Sequence, residues 1–517
     1  MTRIARHWEI LAAFMFAVAL AGPFFIAGGP VYPELVNDQN YYLARIQEVR
    51  EGNLSSGNPY LAELKGVPPV SISLGEYAYV FLPAFIFPPL IFLLMYVLAR
   101  SVGAPRFWAL MATIFLLCGT YFFTFARPIS PQFNLIFWLA AVIGLFSGRA
   151  VFTAFVVGAL FYMYPYYWTH LLAVCGLLFL WYRSPKFIGI ILGAAVVGSY
   201  ALWLSYAARA LPYFDESLMR LGFVETHTPS GVTLAAVSCA LLATTFWWAW
   251  RKKTFPQSLI VAGSLVLGGV IAMNQHLVTG INMEFSSHYG PLIVFADALL
   301  VIAAISAFNW WKFCSKLWVK IPAFLLILVW CAPFVLSPYI YAEKQKGSTD
   351  AYTPIIEWLN ENAEPEEVVY APEELASFIP AYTAQNVFYA RAANFGFMPN
   401  QEVIDRFIIQ NYRAGFTEAF IIENERLLFG QQYVNAYNHA LQKQKFLKLF
   451  GISVDLPERI PAEAIARVQS RAAELQSQPL SSLLAPYRTD YLILPMGQNP
   501  LSGVPVFSTD RFNIFTN

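Results

Sequence analysis

The stretch from Val31 to Pro69, VYPELVNDQNYYLARIQEVREGNLSSGNPYLAELKGVPP, decides how the chain is read. It follows an apolar run from Trp8 to about Ile26, and Gly28, Gly29, Pro30 and Pro33 end any helix there. After Asp38, residues Tyr42, Leu43, Ile46 and Val49 recur at helical spacing, with Arg45, Glu48 and Glu51 on other faces. That pattern predicts an amphipathic helix lying on a membrane surface. Asn37 is placed to cap its start and Gly52 its end, while Asn58-Pro59, Gly66 and Pro68-Pro69 keep the remainder as loop. Two acids, Glu34 and Asp38, therefore stand at the outer end of a membrane span.

Composition places the rest of the chain in the membrane too. Of 517 residues 57% are hydrophobic and 13% charged, with a mean hydropathy of +0.51, against roughly 25% charged in a soluble domain. A net charge of +1 without any basic run excludes a nucleic-acid partner. The five cysteines all fall inside hydrophobic runs and offer neither a disulfide framework nor a zinc site. The first run is long enough to span and lacks an Ala-x-Ala cleavage pattern, so an uncleaved span is expected. Further apolar runs at 77–98, 107–125, 133–146, 151–163, 166–182, 187–208, 232–250, 256–273, 289–308 and 321–341 bring the expectation to about eleven transmembrane helices. The fourth to sixth are short, and a bent or half-spanning helix is expected among them.

Orientation follows from Lys and Arg in the short loops. With the N-terminus inside, thirteen fall on the cytoplasmic side, among them Arg3, Arg6 and Arg251-Lys252-Lys253, and six on the other. The first loop (29–76) is then external, and so is everything after Tyr341. From Glu343 onward the composition becomes that of a soluble domain. Helical patterns at 352–362, 401–412, 431–450 and 461–476 alternate with strand-like runs at 368–370, 386–389, 491–494, 504–508 and 512–515. Residues 1–342 thus read as a transmembrane domain. Residues 343–517 read as an external, periplasmic α/β domain large enough to fold by itself.

This layout resembles polytopic GT-C glycosyltransferases, whose first external loop carries an active-site acid and then a juxtamembrane helix. Asp38 is followed by Gln39, not by the Glu of protein O-mannosyltransferase-like enzymes, and no Trp-Trp-Asp signature of oligosaccharyltransferases occurs after Glu343. The likeness is nearer to a bacterial branch of the superfamily that pairs a DQNYYLARIQEV-type loop with an NQHLVTG segment and an external C-terminal domain. The resemblance implies a fold of about eleven helices in a bacterial inner membrane. It also implies a polyprenyl-phosphate sugar as donor and a lipid or cell-surface glycan as acceptor.

Four clusters are candidates for the chemistry. Asp38 and Glu34 can serve as general base on an acceptor hydroxyl, and Asp38 can hold a divalent cation, Mg or Mn, against the donor phosphate. Arg127, the lone cation of the tight RPISPQ turn, suits a lipid phosphate, with interfacial snorkelling as its structural alternative. NQHLVTGINMEFSSHYG supplies His276, Glu284 and His288, of which His288 can contact phosphate, while Asp297 lies inside the following span. YMYPYYWTH supplies Tyr162, Tyr166, Tyr167 and Trp168 for a substrate groove, although an interfacial aromatic belt explains such a cluster more simply. A transporter or flippase of a lipid-linked substrate and a non-catalytic envelope assembly protein are the rival readings. The first should show repeat symmetry and paired midplane charges, and the second should be indifferent to Asp38.

Overall fold

The computed structural model describes residues 8–53, 57–70, 72, 74–119, 122–283, 288–498 and 504–517. Arg3, Arg6 and Glu284 lie outside them. Six helices are long and apolar enough to cross a membrane: Trp8–Ala27, Ala84–Ser101, Val232–Lys252, Gln257–Thr279, Tyr289–Ala307 and Leu317–Gln345. A seventh arises if Pro185–Val197 and Ser199–Ala208, bent by 60°, are one span. The other expected runs form shorter or more polar helices, Arg106–Cys118, Gln132–Phe146, Ala150–Leu160 and Pro165–Tyr182.

Two departures from the sequence reading have local causes. The expected bend lies one run later than anticipated, at Gly198-Ser199, the residue pairing at which helices commonly kink. A Cβ at Gly198 would sit 2.6 Å from the Phe161 ring, so only glycine admits that neighbour. The second run is not one helix either. Pro83 ends the helix Leu74–Phe81, and a short turn over Ala84–Ile86 leads into Phe87–Ser101.

Inside the bundle, small residues set the closest approaches. A Cβ added at Gly268 would meet Val174 at 2.7 Å and one at Gly269 would meet Ile293 at 2.6 Å, so the helix Gln257–Met273 packs tightly between two neighbours. The long helix Leu317–Gln345 instead packs on the outside against Trp8–Ala27 and leads directly into the C-terminal region.

Seven strands occur among the described residues. β1 (Val224–Glu225) and β2 (Ile281–Asn282) pair antiparallel and tie two inter-helix loops together, a link the sequence did not suggest. The other five, β3 (Val368–Tyr370), β4 (Asn386–Val387), β5 (Tyr491–Pro495), β6 (Phe507–Ser508) and β7 (Phe512–Thr516), form one sheet in the order β4-β3-β5-β7-β6. β3 runs parallel to both β4 and β5, whereas β7 is antiparallel to β5 and β6. Each lies within or beside a strand-like run named above.

The first loop is built into this C-terminal region. Val31, Ala44, Tyr60 and Leu61 belong to the same buried cluster as Ile355, Val369, Phe388 and Ile493. The Val387 N–H donates to the Tyr60 carbonyl at 2.9 Å, covering the β4 edge of the sheet. Asn58 Nδ2 donates to the Ala393 carbonyl, and Thr349 Oγ1 to that of Val31. A loop that would otherwise be mobile is thereby fixed.

Candidate active site

The site grows from the end of the first span. Gly28 and Gly29 take positive φ values of 66° and 84°, which turn the chain back so that Val31, Leu35 and Val36 are buried. The surface helix then runs from Gln39 to Arg50. Its N-cap residue is Asp38, not Asn37 as the sequence suggested, and Asp38 is left-handed, with φ 61° and ψ 17°. Its own side chain makes no cap hydrogen bond. The Gln39 N–H donates to the Val36 carbonyl at 3.1 Å and the Leu35 N–H to Gln39 Oε1 at 3.3 Å, and the Glu34 carboxylate lies near the backbone of Asp38 and Gln39.

The Asp38 carboxylate turns instead toward Arg127, whose Nη1 lies 3.5 Å from Asp38 Oδ2. Arg127 is held by carbonyls: Nε donates to Ser130, and Nη1 to Asn37 at 3.2 Å. Its guanidinium lies over the Tyr42 ring, 5.3 Å from the centroid. Among the described residues Nη2 makes no hydrogen bond, which leaves a donor for a phosphate oxygen. The Arg127 side chain is 13% exposed and that of Asp38 36%, so an anchored cation faces a reachable carboxylate.

Aromatic residues complete this side. Tyr164 and Tyr167 lie within electrostatic range of Arg127. The Tyr164 hydroxyl is 3.2 Å from His288 Nδ1, and the Tyr166 ring packs on the imidazole with centroids 4.8 Å apart. Burial, assisted by the charge of Arg127, pushes His288 down to about 3, so its imidazole is neutral at physiological pH. It can exchange a hydrogen bond with a phosphate or hydroxyl but adds no charge.

On the other side of Asp38, acids gather beneath the C-terminal region. Burial, followed by the nearby Asp38, raises the Glu34 carboxyl above its ordinary value, and Arg391 opposes the shift. Tyr60 is fully buried, its hydroxyl has no partner among the described residues, and Glu34, Glu373 and Asp38 all lie within its electrostatic reach. Glu373, pushed up to about 8 by burial, accepts the Arg391 N–H through Oε1.

The structure thus brings Asp38, Glu34, Arg127, His288, Tyr166 and Tyr167 to one place, and it separates the other candidates from them. Tyr162 donates to the Val197 carbonyl within the bundle, and Trp168 stacks on Phe161 with centroids 4.2 Å apart. His276 is fully buried against the Thr228 carbonyl. Asp297 accepts from Ser238 Oγ at 2.7 Å, a bond between helices. Tyr42, Tyr164 and Glu373 were not singled out from the sequence. Tyr42 and Tyr164 sat inside the quoted stretches, whereas Glu373 carries no local signal because only the fold brings it to Glu34. Among the described residues no three His, Cys, Asp or Glu side chains form a metal-binding set.

No family model and no curated protein matches the chain. Among solved structures it is similar to the Archaeoglobus fulgidus oligosaccharyltransferase in the apo form, with a TM-score of 0.46 and 11% identity over 95% of this chain and 70% of that one. It is also similar to the same enzyme tethered with an acceptor peptide containing the NVT sequon via a disulfide bond, with a TM-score of 0.44 and 11% identity over 96% and 70%.

Proposed function

We propose that this membrane protein is a glycosyltransferase that moves a sugar from a polyprenyl-phosphate donor to a lipid or cell-surface glycan acceptor. In this reading it sits in a bacterial inner membrane with its N-terminus in the cytoplasm and its C-terminal domain outside. The four shorter apolar helices would also cross, giving the eleven passages of the sequence reading. The observation that carries the proposal is the pairing of a non-capping, exposed Asp38 carboxylate with an immobilised Arg127 at the end of the first span.

The chemistry follows from that pairing. Asp38 takes the proton of the acceptor hydroxyl, whose oxygen attacks the anomeric carbon as the bond to the donor phosphate breaks. The departing phosphate gains charge where Arg127 Nη2 can receive it. A divalent cation held by Asp38 and the donor's own oxygens is the alternative source of positive charge, and chelation during the assay separates the two.

The test is transfer from a panel of radiolabelled polyprenyl-phosphate sugars by the purified protein. Asp38→Asn keeps the shape and should lose about 10²-fold or more in rate, the scale of general-base catalysis. Glu34→Gln keeps the shape of a side chain that makes no ion pair with Arg127 and should lose far less. Full activity in Asp38→Asn would end the assignment of that residue.

A further inference from the structure

The helix Gln432–Lys448 of the C-terminal region lies along the segments that join membrane helices and then runs past them. The Gln431 N–H donates to the Arg220 carbonyl at 2.8 Å, Asn435 Nδ2 donates to that of Gly222 at 2.9 Å, and Asn282 Nδ2 lies 3.2 Å from His439 Nε2. Positions 431, 435 and 439 are four apart, so one face of the helix makes all three contacts. The last contact falls three residues beyond the candidate span Gln257–Thr279. Over these two turns the helix lies on this end of the bundle instead of meeting it with its tip.

Past His439 the same face turns apolar. Phe446 lies within about 20° of His439 around the helix axis, and the Phe450 ring packs on it edge to face with centroids 5.4 Å apart. Gly451, at φ 74°, ends the helix, and the Ile452 N–H donates to the Leu447 carbonyl at 3.2 Å. Gln444 Nε2 donates to the Val454 carbonyl at 2.8 Å and ties the following chain back. The tip is therefore a fixed shape, and it points its apolar side chains outward: Leu449 is 74% exposed, Phe450 66% and Ile452 50%. Leu277, Val278 and Ile281, beside Asn282, are exposed as well.

Charge decides what covers this tip. From Gln431 to Val454 the chain has no acid and three lysines, Lys443, Lys445 and Lys448, all exposed. Lysines near a helix C-terminus suit its dipole, but that leaves the apolar side chains unexplained. An apolar wedge ringed by ammonium groups, on a helix seated where membrane spans end, matches the boundary between acyl chains and anionic headgroups.

We propose that this tip is a membrane anchor. Leu449, Phe450 and Ile452 enter the leaflet at this end of the bundle, and the three lysines bind its anionic phospholipid headgroups. The anchor holds the C-terminal region down on the bilayer whatever reaction the chain performs.

Photocrosslinking of the full chain in nanodiscs tests it, with benzoylphenylalanine placed at the exposed position Phe450. Irradiation should attach a phospholipid, read as added mass on the protein. Replacing roughly one-third of the phosphatidylcholine by phosphatidylglycerol should raise the yield about fivefold, the worth of one lysine near an anionic surface. Lys443→Gln, Lys445→Gln and Lys448→Gln combined should abolish that rise. In the unsubstituted protein, amide hydrogen exchange over residues 445–454 should be slower in the anionic disc than in the neutral one. Absence of a lipid adduct, a crosslink to protein in its place, equal yields in both discs, or exchange indifferent to the lipid overturns the anchor.

Discussion

Asp38 spends conformational energy on its position. A left-handed aspartate is tolerated but not preferred, and here the strain is not repaid by a side-chain cap bond. Its ion pair with Arg127 is long and partly exposed, a class worth about 0–1 kcal/mol. Asp38→Asn should therefore fold and insert normally, which makes loss of transfer in that variant a statement about chemistry. Glu373 gives a pH signature of its own. Its folded value of about 8 lies above the 4.5 of an ordinary glutamate, so between these limits the unfolded chain releases a proton that the folded one keeps. Stability is lost as pH rises through that window. Glu373→Gln removes the penalty while keeping an acceptor for the Arg391 N–H. Thermal unfolding in nanodiscs should show the variant melting above wild type at pH 8, with the gap closing toward pH 5. An equal gap at both values would contradict the buried, protonated carboxyl.

At the scale of elements, Arg220 shows how a segment between two apolar helices is fastened to the C-terminal region. It is 1% exposed on the helix Phe214–Leu221 and donates to the carbonyls of Met398 and Gly396 and to Asn400 Oδ1. Arg220→Leu would leave those acceptors buried without donors, at about 1–3 kcal/mol for each unsatisfied group. Faster limited proteolysis after Leu221 in the variant would register the detachment, and an unchanged rate would refute it. Nothing local announced this role, because Arg220 looked like one more loop cation. What the sequence did announce was punctuation and period. Gly52 at φ 92° ends the surface helix as expected, and alternation in short apolar runs located all five strands of the larger sheet. Asn37 misled as a cap because the chain enters the helix through a left-handed Asp38, a turn that only the folded chain displays. The meeting of Asp38 with Arg127 and His288 was equally hidden, since each lies on a different inter-helix loop and no spacing rule connects them.

At the scale of the whole molecule, the first loop does not rest on the C-terminal domain but forms part of it. Tyr60 and Leu61 are fully buried in its core, and Val31 and Ala44 join them. Burying a large apolar side chain contributes about 1.5–3 kcal/mol, against a total stability of about 5–15 kcal/mol for a typical domain. Losing Tyr60 and Leu61 together with the cover on the β4 edge therefore removes a large share of the margin. The sequence suggested that residues 345–517 would fold alone. With the core as it stands, that fragment should bind a hydrophobic dye and melt early or without cooperativity. Joining residues 57–70 to its N-terminus through a flexible linker should restore a cooperative transition, because Tyr60 and Leu61 can then re-enter their sites and the Tyr60 carbonyl can again pair with the Val387 N–H. If the bare fragment already melts as sharply and as high as the joined one, the loop merely leans on a finished domain. The alternative outcome ties the first loop to the architecture: the segment that carries Asp38 cannot shift without disturbing the core that holds Val31, Ala44 and Tyr60.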